Sequence, residues 1–147
     1  MENEQISLNR AQQALENGAP EESIKILRRL LKAEPEDLDA LATLGEALLE
    51  AGHLEEAARV LADAVKKLPQ DLDLQFDLGD VYFELGRSDE ACEVYKSILQ
   101  LDSDQIDAQV SLGLIHFHQE RMSEAEQCYR KALERQPGSA FAMHSLG

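Results

Sequence analysis

The side chains able to do chemistry are few in this chain of 147 residues, and their spacing argues against a reaction centre. His116 and His118 stand two positions apart. On a helix such neighbours face different directions, so they do not make one ligand pair. Cys92 and Cys128 form no CxxC pair, and nothing nearby completes four ligands for zinc. Asp77 and Asp80, three apart, would share a helix face and resemble an acid–base couple. Such a couple needs two carboxyls in contrasting environments or a titratable partner, and the sequence supplies neither. They therefore read as solvated surface charge. His53 falls in a turn, and His116 reads as a core histidine. No glycine-rich phosphate loop, HExxH or nucleophile elbow occurs. The expectation is a protein that binds, with no catalytic residue, no metal and no cofactor.

Composition narrows what it could bind. Twenty-nine acidic residues against 14 basic ones give a formal net charge of -15. Contacts to phosphates require a basic surface, so nucleic acid is disfavoured as a partner. Anionic membranes are disfavoured on the same ground. The 44% apolar content is that of a folded chain. The opening MENEQISLNR is acidic and polar, unlike a secretory signal. No apolar run approaches the roughly 20 residues that span a bilayer. A reducing cytoplasm, with both thiols reduced and packed in helices, is the reading that follows.

The elements that would position these residues come from an internal repeat of about 34 residues. Leu44-Gly45, Leu48, Gly52, Ala57, Leu61 and Pro69 form one copy. Leu78-Gly79, Tyr82, Gly86, Ala91 and Tyr95 form the next. Leu112-Gly113, His116, Ala125, Tyr129 and Pro137 follow. In each, Ala stands thirteen positions after the Leu. An earlier, more divergent copy places Ile6, Leu8, Ala11, Ala14 and Leu15 at helical spacing. Gly18 then ends that helix, Pro20 opens the next, and Ser23 stands where later copies have Ala. In the second copy the pattern predicts helices over about Asp37–Ala51 and Leu54–Leu68. A small residue on each (Gly45, Ala57) lets the backbones approach. In the fourth copy Ser123 and Glu126 have capping-box spacing. Glu120 replaces the turn glycine, so that turn must avoid a glycine-only angle or tolerate strain.

The L-G-x2-Y, Ala, aromatic, Pro pattern in register resembles the tetratricopeptide repeat family. The departures are the absence of Trp, the residues Leu41, Gln75 and Gln109 at the family's first aromatic position, and Ser103 in place of Pro. The resemblance implies an all-α fold, a right-handed α-solenoid of antiparallel helix pairs with about four repeats and the start of a fifth. Length suggests one domain over 1–147. Its repeats would run about 4–37, 38–71, 72–105 and 106–139, with a partial fifth at 140–147. Ser139 would cap that fifth copy, which carries Phe141, Met143, His144 and Leu146-Gly147.

In this family the first helix of each pair lines a peptide-binding groove. Carried over by position, the groove candidates are Asp39, Ala42, Thr43, Glu46, Leu49 and Glu50 in copy two. Copy three offers Asp73, Phe76, Asp77, Asp80, Phe83 and Glu84, and copy four Asp107, Val110, Ser111, Leu114, Phe117 and His118. The first helices of these copies contain no Lys or Arg, whereas most basic residues sit on second helices. The expected partner is therefore a protein or peptide bearing Lys or Arg. Spacing leaves open whether the three Phe meet the groove or pack sideways. The family's clamp for acidic chaperone tails needs Lys, Arg and Asn, of which only Asn9 is present. The asparagine ladder of a sugar transferase's repeats is also missing, since that row reads Asn9, Thr43, Asp77, Ser111 and Ser145. Because the chain stops in mid-helix, two alternatives stand beside the scaffold. One is the recruiting module of a larger enzyme, such as a transferase. The other is a homo-oligomer formed through the uncapped end.

Overall fold

The computed structural model describes residues 2–135. The expected fifth copy, with Ser139, Phe141, Met143, His144 and Leu146, lies outside the described residues, as does Pro137. The described residues fold into eight α-helices and no strand. They are α1 (Glu2–Glu16), α2 (Pro20–Ala33), α3 (Leu38–Glu50), α4 (Leu54–Lys67), α5 (Leu72–Glu84), α6 (Ser88–Leu101), α7 (Ile106–His118) and α8 (Met122–Arg135). They divide into two compact units, one ending at Leu85 and the other beginning at Gly86. In the first unit α1 packs on α2, α2 on α3, α3 on α4 and α4 on α5. The odd-numbered helices α1, α3 and α5 also touch in sequence. In the second unit α7 packs on both α6 and α8.

Local chemistry sets the helix ends. Asp37 and Asp71 are N-caps whose carboxylates accept from the backbone N–H of Ala40 at 3.0 Å and of Leu74 at 3.2 Å. Each such cap stabilises its helix by about 1 kcal/mol. Pro20 starts α2, where its missing N–H is no loss. The turns inside the pairs close on a residue with positive φ: Gly18 at 77°, Gly52 at 81° and Gly86 at 76°. At Gly52 the His53 N–H returns to the Leu48 carbonyl at 2.9 Å, which satisfies an orphan carbonyl of α3. Glu120 occupies the equivalent place with φ of 61°, so the turn keeps the glycine angle and bears the strain. The helix after it differs from expectation. It begins at Met122, which puts Ser123 inside the helix rather than at its cap. Glu126 pairs forward with Arg130 at 2.6 Å instead of reaching back.

Packing in the α3–α4 and α7–α8 pairs turns on one close approach. A Cβ built on Gly45 would lie 2.5 Å from Cδ2 of Leu61. One built on Gly113 would lie 2.5 Å from Cε1 of Tyr129 and 2.8 Å from its Cδ1. Ala57 is fully buried and Ala125 nearly so, on the facing helices. Around the second contact Ala125, Tyr129 and Ala132 form a core, with Ile106, Val110 and Leu133 against it. The first unit buries Leu27, Leu48 and Leu61 completely. Ser23, at the repeat's Ala position, is also fully buried, and its hydroxyl has no hydrogen-bond partner.

Two outcomes follow from this packing. Gly113→Ala forces the rigid Tyr129 ring to move and lowers stability by about 1–3 kcal/mol. Thermal unfolding should show a lower midpoint, partly restored by adding Tyr129→Leu; an unchanged midpoint for Gly113→Ala overturns the contact. Ser23→Ala removes a desolvated hydroxyl and should raise stability by about 1–2 kcal/mol in denaturant titration. A loss of stability would mean that the hydroxyl has a partner.

Candidate functional site

The first unit concentrates negative charge on its odd-numbered helices. Neither α3 (LDALATLGEALLE) nor α5 (LDLQFDLGDVYFE) contains Lys or Arg. Asp39, Glu46 and Glu50 lie on α3, and Asp73, Asp77, Asp80 and Glu84 on α5. Glu46, Asp73 and Asp77 have no Lys or Arg partner among the described residues. Basic side chains are engaged on the even-numbered helices instead. Arg28 of α2 grips Glu56 of α4 through two contacts of 2.8 Å, and Lys67 meets Asp63 within α4 at 3.5 Å.

Crowding of like charge alters the acids themselves. Asp77 is half-buried, and loss of water is the main cause that lifts its pKa from 3.8 to about 7. The charges of Glu46, Asp80, Asp73 and Asp71 push the same way. Glu46 is raised too, by desolvation first and then by Glu50, Asp73 and Asp71. Two adjacent helices thus share one electrostatic cluster. The expectation of solvated surface charge fits Asp80, which is exposed, but not Asp77, which is half-buried and loses much of its water. Among the described residues no His, Cys, Asp and Glu group is arranged to hold a metal ion.

The other expected groove residues divide by exposure. Thr43 is buried, and its hydroxyl donates to the Asp39 carbonyl at 2.7 Å, so it is occupied structurally. Asp39, Glu50, Asp73, Asp80 and Glu84 are exposed. Phe76 is half-buried, and Phe83 is 36% exposed. In the second unit Phe117 is 50% exposed, with its ring edge-to-face against His118 at 6.1 Å. Asp107 and His118 are exposed there, while Ser111 and Leu114 are half-buried. His116 is buried, as expected. Of the two free thiols Cys92 is buried and Cys128 only half-buried; desolvation pushes both above their usual range.

Sequence reasoning missed one wall of the acidic face. A hollow of about 370 Å³ between α1 and α3 is lined by Gln12, Leu15, Glu16, Ala42, Glu46 and Glu50. Gln12, Leu15 and Glu16 lie one repeat length before Glu46, Leu49 and Glu50. The signal was therefore present in the divergent first copy.

Comparison with known proteins bears on the helical repeat that carries this face. The tetratricopeptide repeat pattern fits residues 8–71, 43–106 and 106–139. The chain belongs to the tetratricopeptide repeat family, an all-α helical-repeat class of protein–protein interaction scaffold. Among solved structures, a crystal structure of MamA protein superposes with a TM-score of 0.92 at 22% identity, covering 99% of this chain and 79% of that one. A tetratricopeptide repeat protein from Parabacteroides merdae ATCC 43184 gives 0.92 at 20% identity, covering 99% and 58%. YrrB, described as a TPR protein with an unusual peptide-binding site, gives 0.85 at 23% identity, covering 92% and 70%. At these identities the likeness is one of fold. Among curated protein sequences none matches. No described helix is long and apolar enough to cross a membrane.

The raised carboxyl sets a stability–pH dependence. Below about pH 4 Asp77 is protonated in both folded and unfolded chains and contributes nothing. Between about pH 4 and 7 the folded chain keeps a proton that the unfolded chain releases, so stability falls as pH rises. Above about pH 7 the full penalty applies. Asp77→Asn should therefore stabilise the protein at pH 8 by about 1–3 kcal/mol, after allowance for screening. The gain should vanish towards pH 4. Denaturant unfolding across that range checks it, and a pH-independent difference overturns it.

Proposed function

We propose that α3 and α5 present a docking face for a protein segment that carries Lys or Arg and an apolar side chain. The observation that carries this reading is the cluster of Glu46, Asp73, Asp77 and Asp80 on two neighbouring helices that contain no cation. Such a cluster destabilises the free protein, and a bound cation offsets the repulsion. Complementary charge of this kind speeds encounter and rejects wrong partners more than it adds raw affinity. Phe83 and Phe76 flank the acids and supply rigid apolar contact area. The hollow between α1 and α3 extends the acidic face by Glu16. That YrrB, a fold relative, is described with a peptide-binding site supports the class of ligand.

Titration calorimetry with a Lys/Arg/Leu peptide and its Glu-substituted counterpart, each at low and high salt, tests the reading. The basic peptide should bind, lose affinity at high salt, and weaken at least tenfold in Glu46→Lys. Its affinity should also rise from pH 6 to pH 8, because Asp77 must lose its proton to pair with a cation. Preference for the acidic peptide, or indifference to salt, overturns the reading.

A further inference from the structure

The second unit contains a cavity that the docking face does not use. Helices α6, α7 and α8 border an open hollow of about 470 Å³, with walls that include Lys96, Leu99, Leu112, His116, Cys128 and Lys131. Both charged wall residues are lysines, in a chain whose net charge is -15. Lys131 has no ion pair among the described residues, and Lys96 reaches Glu93 only at 3.9 Å. Among these residues Lys131 is therefore uncompensated, and Lys96 is held only by this long contact.

His116 is 9% exposed, and its Nδ1 is fully enclosed without a hydrogen-bond partner. Burial lowers its pKa, so the ring is neutral near pH 7 and carries one N–H. A buried N–H without an acceptor costs more than an unused lone pair. The proton is therefore assigned to Nε2. His116, as a neutral N–H donor, thus lines the hollow together with Lys96 and Lys131. Leu99, Leu112 and the alkyl stems of the lysines make up the apolar remainder.

We propose that this cavity binds a small amphiphilic carboxylate. Its apolar tail lies against Leu99 and Leu112, and its carboxylate lies between Lys96 and Lys131 within reach of the His116 N–H. A bare inorganic anion would use the lysines but leave the apolar wall wet. A neutral amphiphile would leave the lysines unmatched. Apolar walls with a few convergent polar groups are the usual composition of a small-molecule site.

The test is titration of the full chain, labelled for NMR, with octanoate, 1-octanol, octylammonium and inorganic phosphate. Octanoate should saturably shift the His116 ring nitrogens and the Leu99 and Leu112 methyl groups, and should slow labelling of Cys128 by a thiol reagent. Octanol and phosphate should each bind at least tenfold more weakly, and octylammonium should not bind. Lys96→Gln with Lys131→Gln should weaken octanoate at least tenfold while leaving the thermal midpoint unchanged. Equal binding of octanol, equal binding of phosphate, shifts centred on other residues, or full affinity in the double variant would each overturn the proposal. The acidic face of α3 and α5 takes no part, so basic-peptide binding should be the same in the double variant.

Discussion

The fold of each unit depends on how closely two helices can approach, α3 with α4 in the first and α7 with α8 in the second. At Gly45 and Gly113 the partner side chain already occupies the space that a Cβ would need. That contact places Leu61 or Tyr129 directly over the backbone of the facing helix. Ala57 and Ala125 are buried on the facing helices for the same reason. Neither helix of a pair could bury its apolar stripe in isolation, and 13- or 14-residue helices are marginal in water. The approach therefore decides both that the helices form and which of their faces remains for a ligand.

Once the inner faces are committed, the charges are free to separate. Basic side chains on even-numbered helices enter local pairs such as Arg28–Glu56 and Arg130–Glu126. Glu46 on α3 and Asp73 and Asp77 on α5 have no such neighbours among the described residues, and the contact between those helices brings them together. The fold thus holds like charges at short range against their repulsion. The rise of Asp77 to about 7 comes first from its burial, and the repulsion adds to it. A surface under this tension gains more from a cation than an ordinary acidic patch would, because pairing also returns the lost solvation.

The repeat made most of this legible in the sequence. Leu-Gly, Ala and the turn glycines report directly on helix crossings and positive φ, which are backbone constraints with few chemical solutions. The charge segregation was legible too, since it needs only helix assignment. Three things were not. The proton affinity of Asp77 depends first on its burial and then on its approach to Glu46, which lies 31 residues away in the chain. The contribution of Gln12 and Glu16 was obscured because copy one lacks the Leu-Gly signature that sets the register. The Ser123–Glu126 spacing suggested a cap, but a helix start shifted by one residue and a better partner in Arg130 removed it. Spacing names the candidates for a bond, and the alternatives within reach decide it.

The departures from the repeat separate into two kinds. Some are repaired locally. Gln75, at an aromatic position, is buried and donates to the Pro69 carbonyl at 2.6 Å. Where Ser103 replaces Pro, the Asp102 carboxylate holds the Asp104 N–H at 3.0 Å and the Gln105 amide at 2.9 Å, which ties down the connection to α7. Others are left unrepaired: the Ser23 hydroxyl, the left-handed Glu120 and the Nδ1 of His116. A left-handed non-glycine residue alone costs roughly 1–2 kcal/mol. Local conflicts that persist in a folded chain concentrate where something other than folding constrains the residue. Ser23 and Glu120 border no cavity described above, so in them the conflict is a plain loss of stability. His116 replaces the Tyr expected at its place in the repeat, and it lines the lysine-walled cavity of the second unit. Of the three, it is the one whose departure from the repeat is matched by a site.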